Sequence, residues 1–299
     1  MEKTNYYTKI GPLIKDLRKK SNMSRSQLAD DICSVSYITR IENGERCPSS
    51  VILRQITNKL GITPEYLFRL IESSGSLQVN ELLNQLFFNA ERHDFKNIYR
   101  LITEKEKELD VKSIQDIQII KLFKCFSMTM LNQNYQFGIG EIKNILNLTY
   151  TEGTVPNDIE FSLMFLYGFF LSLNNQKEEA YTHLINIKEY IKHIKFLHTY
   201  AIISRFYMHL ICVCLDMSKL KESSEYLDYA IDYCKKNNTH TILPELYFLK
   251  SELCYRLKKE TAFKSWYNQA LRLHKLIKYS DDEHFNTFVQ NRLNKLKTS

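Results

Sequence analysis

From residue 77 to the end of the chain, apolar residues recur at three- and four-residue intervals broken by short polar stretches, and no segment alternates convincingly enough to read as a strand. The first seventy residues have the same period in shorter pieces. Residues 10–21 (IGPLIKDLRKKS) predict a first helix with Pro12 in its opening turn, Leu13, Ile14 and Leu17 as the buried stripe, and Lys15, Arg18, Lys19 and Lys20 on the basic side. Ser24 with Gln27 is a capping box that starts a second helix, SRSQLADD. After the turn Ile32-Cys33-Ser34, Ser34 caps a third, VSYITRIEN, and Gly44 supplies the left-handed residue that ends it. Leu28, Ala29, Ile32, Ile38 and Ile41 then lie on one buried face of the two helices. Ser49 caps a fourth helix that Gly61 ends, and Pro64 takes the favoured first position of a fifth, PEYLFRLI.

Two short helices across a tight turn are the shape of a helix-turn-helix, whose second helix enters the major groove. The run LADDICSVSYITRIENGERCPS resembles the DNA-binding domain of phage-repressor (Xre) type, and the resemblance spans roughly residues 8–71. It implies that Arg18 pairs with Glu42, locking the first helix to the end of the recognition helix. It also implies phosphate contacts for Arg25, in the first turn of the second helix, and for Asn43 and Arg46 at the end of the third. Ser34, Val35, Ser36, Thr39 and Arg40 occupy the start and outward face of the recognition helix. Arg40 can grip a guanine edge or clamp a phosphate, Ser36 and Thr39 can bond either base type, and Val35 can meet a thymine methyl. Tyr37 can contact base or backbone, or simply pack.

Glu72 to Ser76 has little reason to be helical. The expected division is therefore a DNA-binding domain at 1–72, a hinge at 73–77 and a second domain at 78–299. In the second domain, Leu166, Tyr167 and Gly168 followed by Ala180, Leu184 and Ile187 reproduce the small-large pattern of a tetratricopeptide unit. The match recurs at Leu210, Cys214, Ser223, Leu227 and Ala230, and at Tyr247, Ser251, Cys254, Tyr267 and Ala270. Two earlier pairs, at 78–110 and 113–149, are degenerate, with Gly138 in the small position. Leu184 and Leu227 stand 43 residues apart, so these are long, divergent units. The expected fold is all-α: the helix-turn-helix domain, a right-handed α-solenoid of about five helix pairs, and a capping helix at 282–297 with Phe285, Phe288, Leu293 and Leu296 turned inward.

Charge sharpens the division. Residues 1–72 hold twelve Lys or Arg against eight Asp or Glu, over half of the net +7 in a quarter of the chain, as suits a DNA-facing module. No apolar run reaches 18 residues and no secretory leader is evident, so the expectation is a cytoplasmic protein with no membrane partner. Seven scattered cysteines suit a reducing compartment. Cys212-x-Cys214 lacks a second pair at ligand spacing, and no glycine-rich phosphate loop or nucleophile-base spacing occurs; neither cofactor, metal nor enzymatic activity is expected.

In a stack of helix pairs the first helix of each pair lines the concave side. Projecting the repeat outward puts Phe123, Ser127, Ser162, Phe165, Phe169, Arg205, His209, Phe248, Glu252 and Tyr255 near that surface, where core packing competes with ligand contact for each residue singly. An Xre-type domain followed by degenerate tetratricopeptide units resembles the RRNPP family of peptide-pheromone receptors, above all its PlcR-like and Rgg-like transcription factors. The resemblance implies a cytosolic homodimer on palindromic double-stranded DNA, switched by a short signalling peptide in the concave groove, as in quorum sensing. A regulator whose repeats bind a partner protein, and a phage-type lysis/lysogeny peptide receptor, are the alternatives of the same architecture.

Overall fold

The computed structural model describes residues 7–72, 76–109, 111, 113–193, 201–277 and 282–298. Sixteen α-helices and two short 3-10 turns, with no strand, make up the regular structure of these residues. They fall into two compact units: residues 1–82 with 108–117, and residues 83–107 with 118–299.

The first unit contains α1 (Tyr7–Lys20), α2 (Arg25–Ala29), α3 (Val35–Glu42), α4 (Ser50–Lys59) and α5 (Pro64–Glu72). Side-chain caps set these boundaries. Ser24 Oγ accepts from the Gln27 N–H at 3.1 Å while Gln27 Oε1 accepts from the Ser24 N–H at 2.8 Å, which completes the capping box. Ser34 and Ser49 accept from the N–H groups of Tyr37 and Ile52, both at 3.3 Å. Each such cap contributes about 0.5–2 kcal/mol. Gly44 and Gly61 adopt φ of 75° and 73° after α3 and α4. Two boundaries differ from expectation. α1 begins a turn earlier, so Pro12 lies inside the helix; α2 stops at Ala29, because Asp30 turns extended and Asp31 takes φ 59°. Ile10, Ile14, Leu28, Ile38, Ile41, Ile56 and Leu67 form the core. Gly11 lets α1 approach the end of α3 closely, since a Cβ there would stand 1.9 Å from the Ile41 carbonyl oxygen.

The expected hinge falls at 73–75 outside the described residues, and Ser76 already opens α6 (Ser76–Glu91). Five helix pairs follow: α6 with α7 (Phe95–Lys105), α8 (Ile114–Asn132) with α9 (Tyr135–Leu146), α10 (Asp158–Leu173) with α11 (Lys177–Lys188), α12 (Ala201–Asp216) with α13 (Leu220–Lys236), and α14 (Leu243–Arg256) with α15 (Glu260–Leu276). α16 (Asp282–Thr298) completes the series. Each pair turns through one left-handed residue, at His93, Gln133, Asn175, Ser218 and Lys258, with φ between 51° and 66°. None is a glycine. Spacings of 40, 42, 43 and 40 residues between these turns give the true repeat length. The turns close as Schellman motifs, with the N–H groups of Gln176, Lys219 and Lys259 donating to the carbonyls of Leu171, Cys214 and Cys254 at 2.8–2.9 Å.

Small residues sit where the helices touch. A Cβ on Gly168 would come within 2.8 Å of Leu184, and one on Gly138 within 2.7 Å of Phe170 and Thr129. Phe161, Phe206, Leu210, Cys214, Leu227, Ala230 and Leu246 belong to one continuous core through the later pairs. On α16, Phe285 and Val289 are buried against Phe248 and Ala270. Phe288 and Leu293 pack at the margin of that cluster, and Arg292 is buried as well.

Candidate functional site

The helix-turn-helix is locked by one buried carboxylate. Arg18 Nε and Nη2 donate to the two oxygens of Glu42 at 2.5 and 3.1 Å, and Arg18 Nη1 donates to the Met23 carbonyl at 2.7 Å. The Glu42 side chain has no exposure and that of Arg18 only 9%. Burial pushes the Glu42 carboxyl up, but the hydrogen bonds from Arg18 and Arg25 and their charges hold it below the ordinary glutamate range. Arg25 Nε shares Glu42 Oε2 at 2.7 Å, while the Arg25 side chain stays 38% exposed at the start of α2. Arg25 thus has a structural partner as well as an open side.

The pinned α3 presents Ser34, Val35, Ser36 and Arg40 as exposed side chains, with Asn43 and Arg46 exposed beyond its end. Ser34 and Ser36 hydroxyls meet at 3.0 Å, and Thr39 Oγ1 donates back to the Val35 carbonyl. Tyr37 leans away, half-buried against the domain core, its hydroxyl donating to the Cys47 carbonyl at 3.5 Å. Glu45, passed over in the sequence, faces both Arg40 Nε at 3.8 Å and Asn43 Nδ2 at 2.9 Å. That carboxylate screens two of the groups best suited to DNA.

In the second unit, an aromatic ladder crosses successive elements. Phe95 of α7 meets Phe126 of α8 at 5.0 Å between ring centroids, Phe126 meets Phe169 of α10 at 6.4 Å, and Phe169 meets His209 of α12 at 4.9 Å. Phe165 stands 6.0 Å from the same imidazole. His209 Nε2 and Ser172 Oγ are 2.9 Å apart, and burial pushes the imidazole down to about 4, so it is neutral near pH 7. Ser162 bonds back to the Asp158 carbonyl. Arg205, His209, Cys212 and Asp216 follow one another at intervals of three or four along one face of α12. Burial pushes the Cys212 and Cys214 thiols up to about 12, so both stay protonated.

Other expected inner-face positions lie elsewhere. Phe123 and Ser127 are buried, Phe123 against Phe87 of α6, because α8 is apolar around its circumference and Phe126 takes the ladder position. Phe248 and Glu252 are buried because α16 covers them. Glu252 accepts from Arg292 Nε and Nη2 at 2.8 and 2.6 Å and from Arg256 at 3.0 and 3.1 Å. Arg292 Nη1 also donates to Asp216 at 2.6 Å. Tyr255 is half-exposed and packs on Phe263 of α15. With Phe165, 8% exposed, five of the ten expected inner-face residues are buried. The covering helix stands some thirty residues beyond the pattern that suggested an open face.

The helix-turn-helix family HTH_3 matches residues 14–67. No curated protein matches the chain. Among solved structures, Bacillus thuringiensis PlcR in complex with the peptide PapR7 and DNA superposes with a TM-score of 0.83 at 19% identity, over 94% of this chain and 99% of that one. ComR from S. thermophilus, in complex with DNA and its signalling peptide ComS, gives 0.62 at 16% identity over 95% and 99%. The Streptococcus dysgalactiae SHP pheromone receptor Rgg2 gives 0.60 at 15% identity over 96% and 99%. The chain shares their fold. Its recognition helix and its ladder therefore belong to one architecture, an N-terminal helix-turn-helix followed by stacked helix pairs.

Proposed function

We propose that the protein is a cytoplasmic transcription regulator that binds a palindromic operator as a homodimer and is switched by a short signalling peptide, as in quorum sensing. The observation that carries this reading is the aromatic ladder Phe95–Phe126–Phe169–His209 in the same chain as an exposed, bridge-locked recognition helix. Aromatic rings give an extended peptide contact area at little cost in side-chain entropy. Arg40, Ser36 and Val35 supply donors and a methyl surface for base edges, and Arg25, Asn43 and Arg46 supply phosphate contacts. Two relatives of the same fold, PlcR and ComR, are complexes with both DNA and a peptide, which supports the pairing of roles.

A peptide alters DNA affinity only if it prefers one arrangement of the dimer, and the coupling is then reciprocal. The test begins with selection from random duplex DNA by the full chain, which is expected to return an inverted repeat with half-sites set by the helical turn. Titration of that operator follows, with and without synthetic peptides from small pro-peptides encoded beside the gene. One of them is expected to shift DNA affinity by about 5–150-fold. Selection of a repeat that no peptide influences would leave a regulator whose helix pairs bind a partner protein.

A further inference from the structure

One charged pair inside the second unit is left over by every interaction described so far. Glu245, in the first turn of α14, is 4% exposed, and its Oε2 has no hydrogen-bond partner. Arg205 of α12 is half-buried and makes no hydrogen bond or ion pair among the described residues. Its guanidinium feels Glu91 of α6 and Glu245 only through space, and burial holds its pKa below the ordinary arginine value. Burial likewise lifts the Glu245 carboxyl to about 7, with its own backbone N–H and Arg205 pulling the other way. Near neutral pH Glu245 is therefore partly protonated and a weak counter-charge. An uncompensated cation and an orphaned carboxyl oxygen in a desolvated place are costly unless something completes them. Their position is telling. Arg205 lies four residues, one helical turn, before the ladder residue His209 on the same face of α12.

Building on the peptide reading above, we infer that Arg205 and Glu245 form the end stop of the groove and receive the free C-terminal carboxylate of the bound peptide. Arg205 supplies charge-assisted N–H donors, and Glu245, in its protonated form, donates its O–H to the same carboxylate. Apolar side chains just upstream of that terminus then lie along the ladder. The pair thus reads where a peptide ends as well as what it contains.

The test uses the full-length protein and pools of random heptapeptides built from neutral and apolar residues only. One pool has free C-terminal acids, a second has C-terminal amides, and a third is amidated with one internal Glu. Bound peptides are quantified by affinity selection and mass spectrometry. The free-acid pool is expected to be retained at least tenfold better than either amidated pool. Arg205→Gln is expected to abolish that preference and Arg205→Lys to restore part of it, with both variants checked for wild-type melting. Glu245→Gln, a mimic of the neutral acid that keeps an N–H donor, is expected to keep the preference. Equal retention of acids and amides by the wild type, or loss of the preference in Glu245→Gln, would overturn the end stop while leaving peptide binding intact. Better retention of the internal-Glu pool would move the carboxylate to a side chain and overturn the terminal assignment. If no pool is retained, the peptide reading fails together with it.

Discussion

Arg18 and Glu42, twenty-four residues apart, meet through two nitrogen–oxygen bonds inside the helix-turn-helix, and Arg25, itself partly exposed, closes on the same carboxylate. Removing one partner of a buried pair costs about 3–5 kcal/mol because the other charge is left stranded. Glu42→Gln is expected to lower the denaturation midpoint of the domain by that order, and adding Arg18→Met to cost less than the sum of the single losses. Strict additivity in a double-mutant cycle would mean that the two residues do not act as a pair. The depressed Glu42 carboxyl contributes stability that is complete above the ordinary glutamate value of about 4.3. That contribution is lost as pH falls further through the folded-state value.

Gly11 is fixed by contact. A methyl group 1.9 Å from the Ile41 carbonyl oxygen must push α1 away from the end of α3. Gly11→Ala normally favours a helix by about 1 kcal/mol. Here it is expected to lower the melting temperature and to weaken DNA binding by displacing α3. Unchanged melting in circular dichroism would show that the two helices separate without cost.

At the DNA face, Arg40→Ala is expected to cost about 1–3 kcal/mol and to relax preference at one base position. Arg25→Ala is expected to weaken all sequences alike and flatten the salt dependence. Glu42 retains Arg18 in that variant, so the stability loss should stay well below that of Glu42→Gln. Glu45→Gln frees Arg40 and Asn43 from their carboxylate and is expected to raise affinity for random DNA. Titrations against operator variants at two salt concentrations separate the three patterns.

Arg292 joins α16 to two inner helices through Glu252 and Asp216, and Lys295 adds a second bond to Asp216. Arg292→Ala leaves Glu252 buried with only Arg256 for a partner. Loss of about 3–5 kcal/mol from the second unit is expected, with faster amide exchange concentrated in α16 and the α14 residues beneath it. Exchange that rises evenly along the chain would argue against a local latch.

Two imidazoles make the second unit sensitive to acid. His93 stacks on His284 of α16 with ring centroids 3.5 Å apart, and burial, then His284 and Arg205, push it down to about 3. His209 is pushed down to about 4, chiefly by burial. Both have folded values below the ordinary 6.5, so their contribution is complete above that pH and declines as pH falls through the folded values. Melting temperature is expected to drop between pH 6.5 and 4, and His93→Gln and His209→Gln each to shallow the slope. A slope unchanged in both variants would place the acid sensitivity in other groups.

The capping box, the recognition helix and the five pairs were legible because each rests on local chemistry: a serine before a helix, a glycine after it, a small residue where helices touch. The inner face of α8 was not. Ile117, Ile119, Ile120, Leu122, Phe123 and Phe126 surround that helix, so periodicity favours no side, and Phe126 went unnoticed. Phe248 and Glu252 failed for a different reason. They carry an inner-face pattern, but α16 covers them, and a covering helix is a long-range fact that no window around them contains. Glu245 gave no signal either, since one acid in a first turn is ordinary until its burial is known.

The left-handed turns hold a lesson about how such a chain grows. Histidine, glutamine, asparagine, serine and lysine occupy the same backbone position in five successive pairs, at almost constant intervals. A residue other than glycine in that conformation costs roughly 1–2 kcal/mol, with asparagine among those that tolerate it best, and the geometry persists whatever side chain it carries. The turn is therefore inherited as backbone geometry rather than as sequence. Excising a segment from one such residue to the next, such as 134–175, would splice two compatible junctions, and duplicating it would do the same. Each repeat is thus an exchangeable cassette whose splice sites are written in dihedral angles, which lets the interior diverge toward new ligands without redesign of the joints.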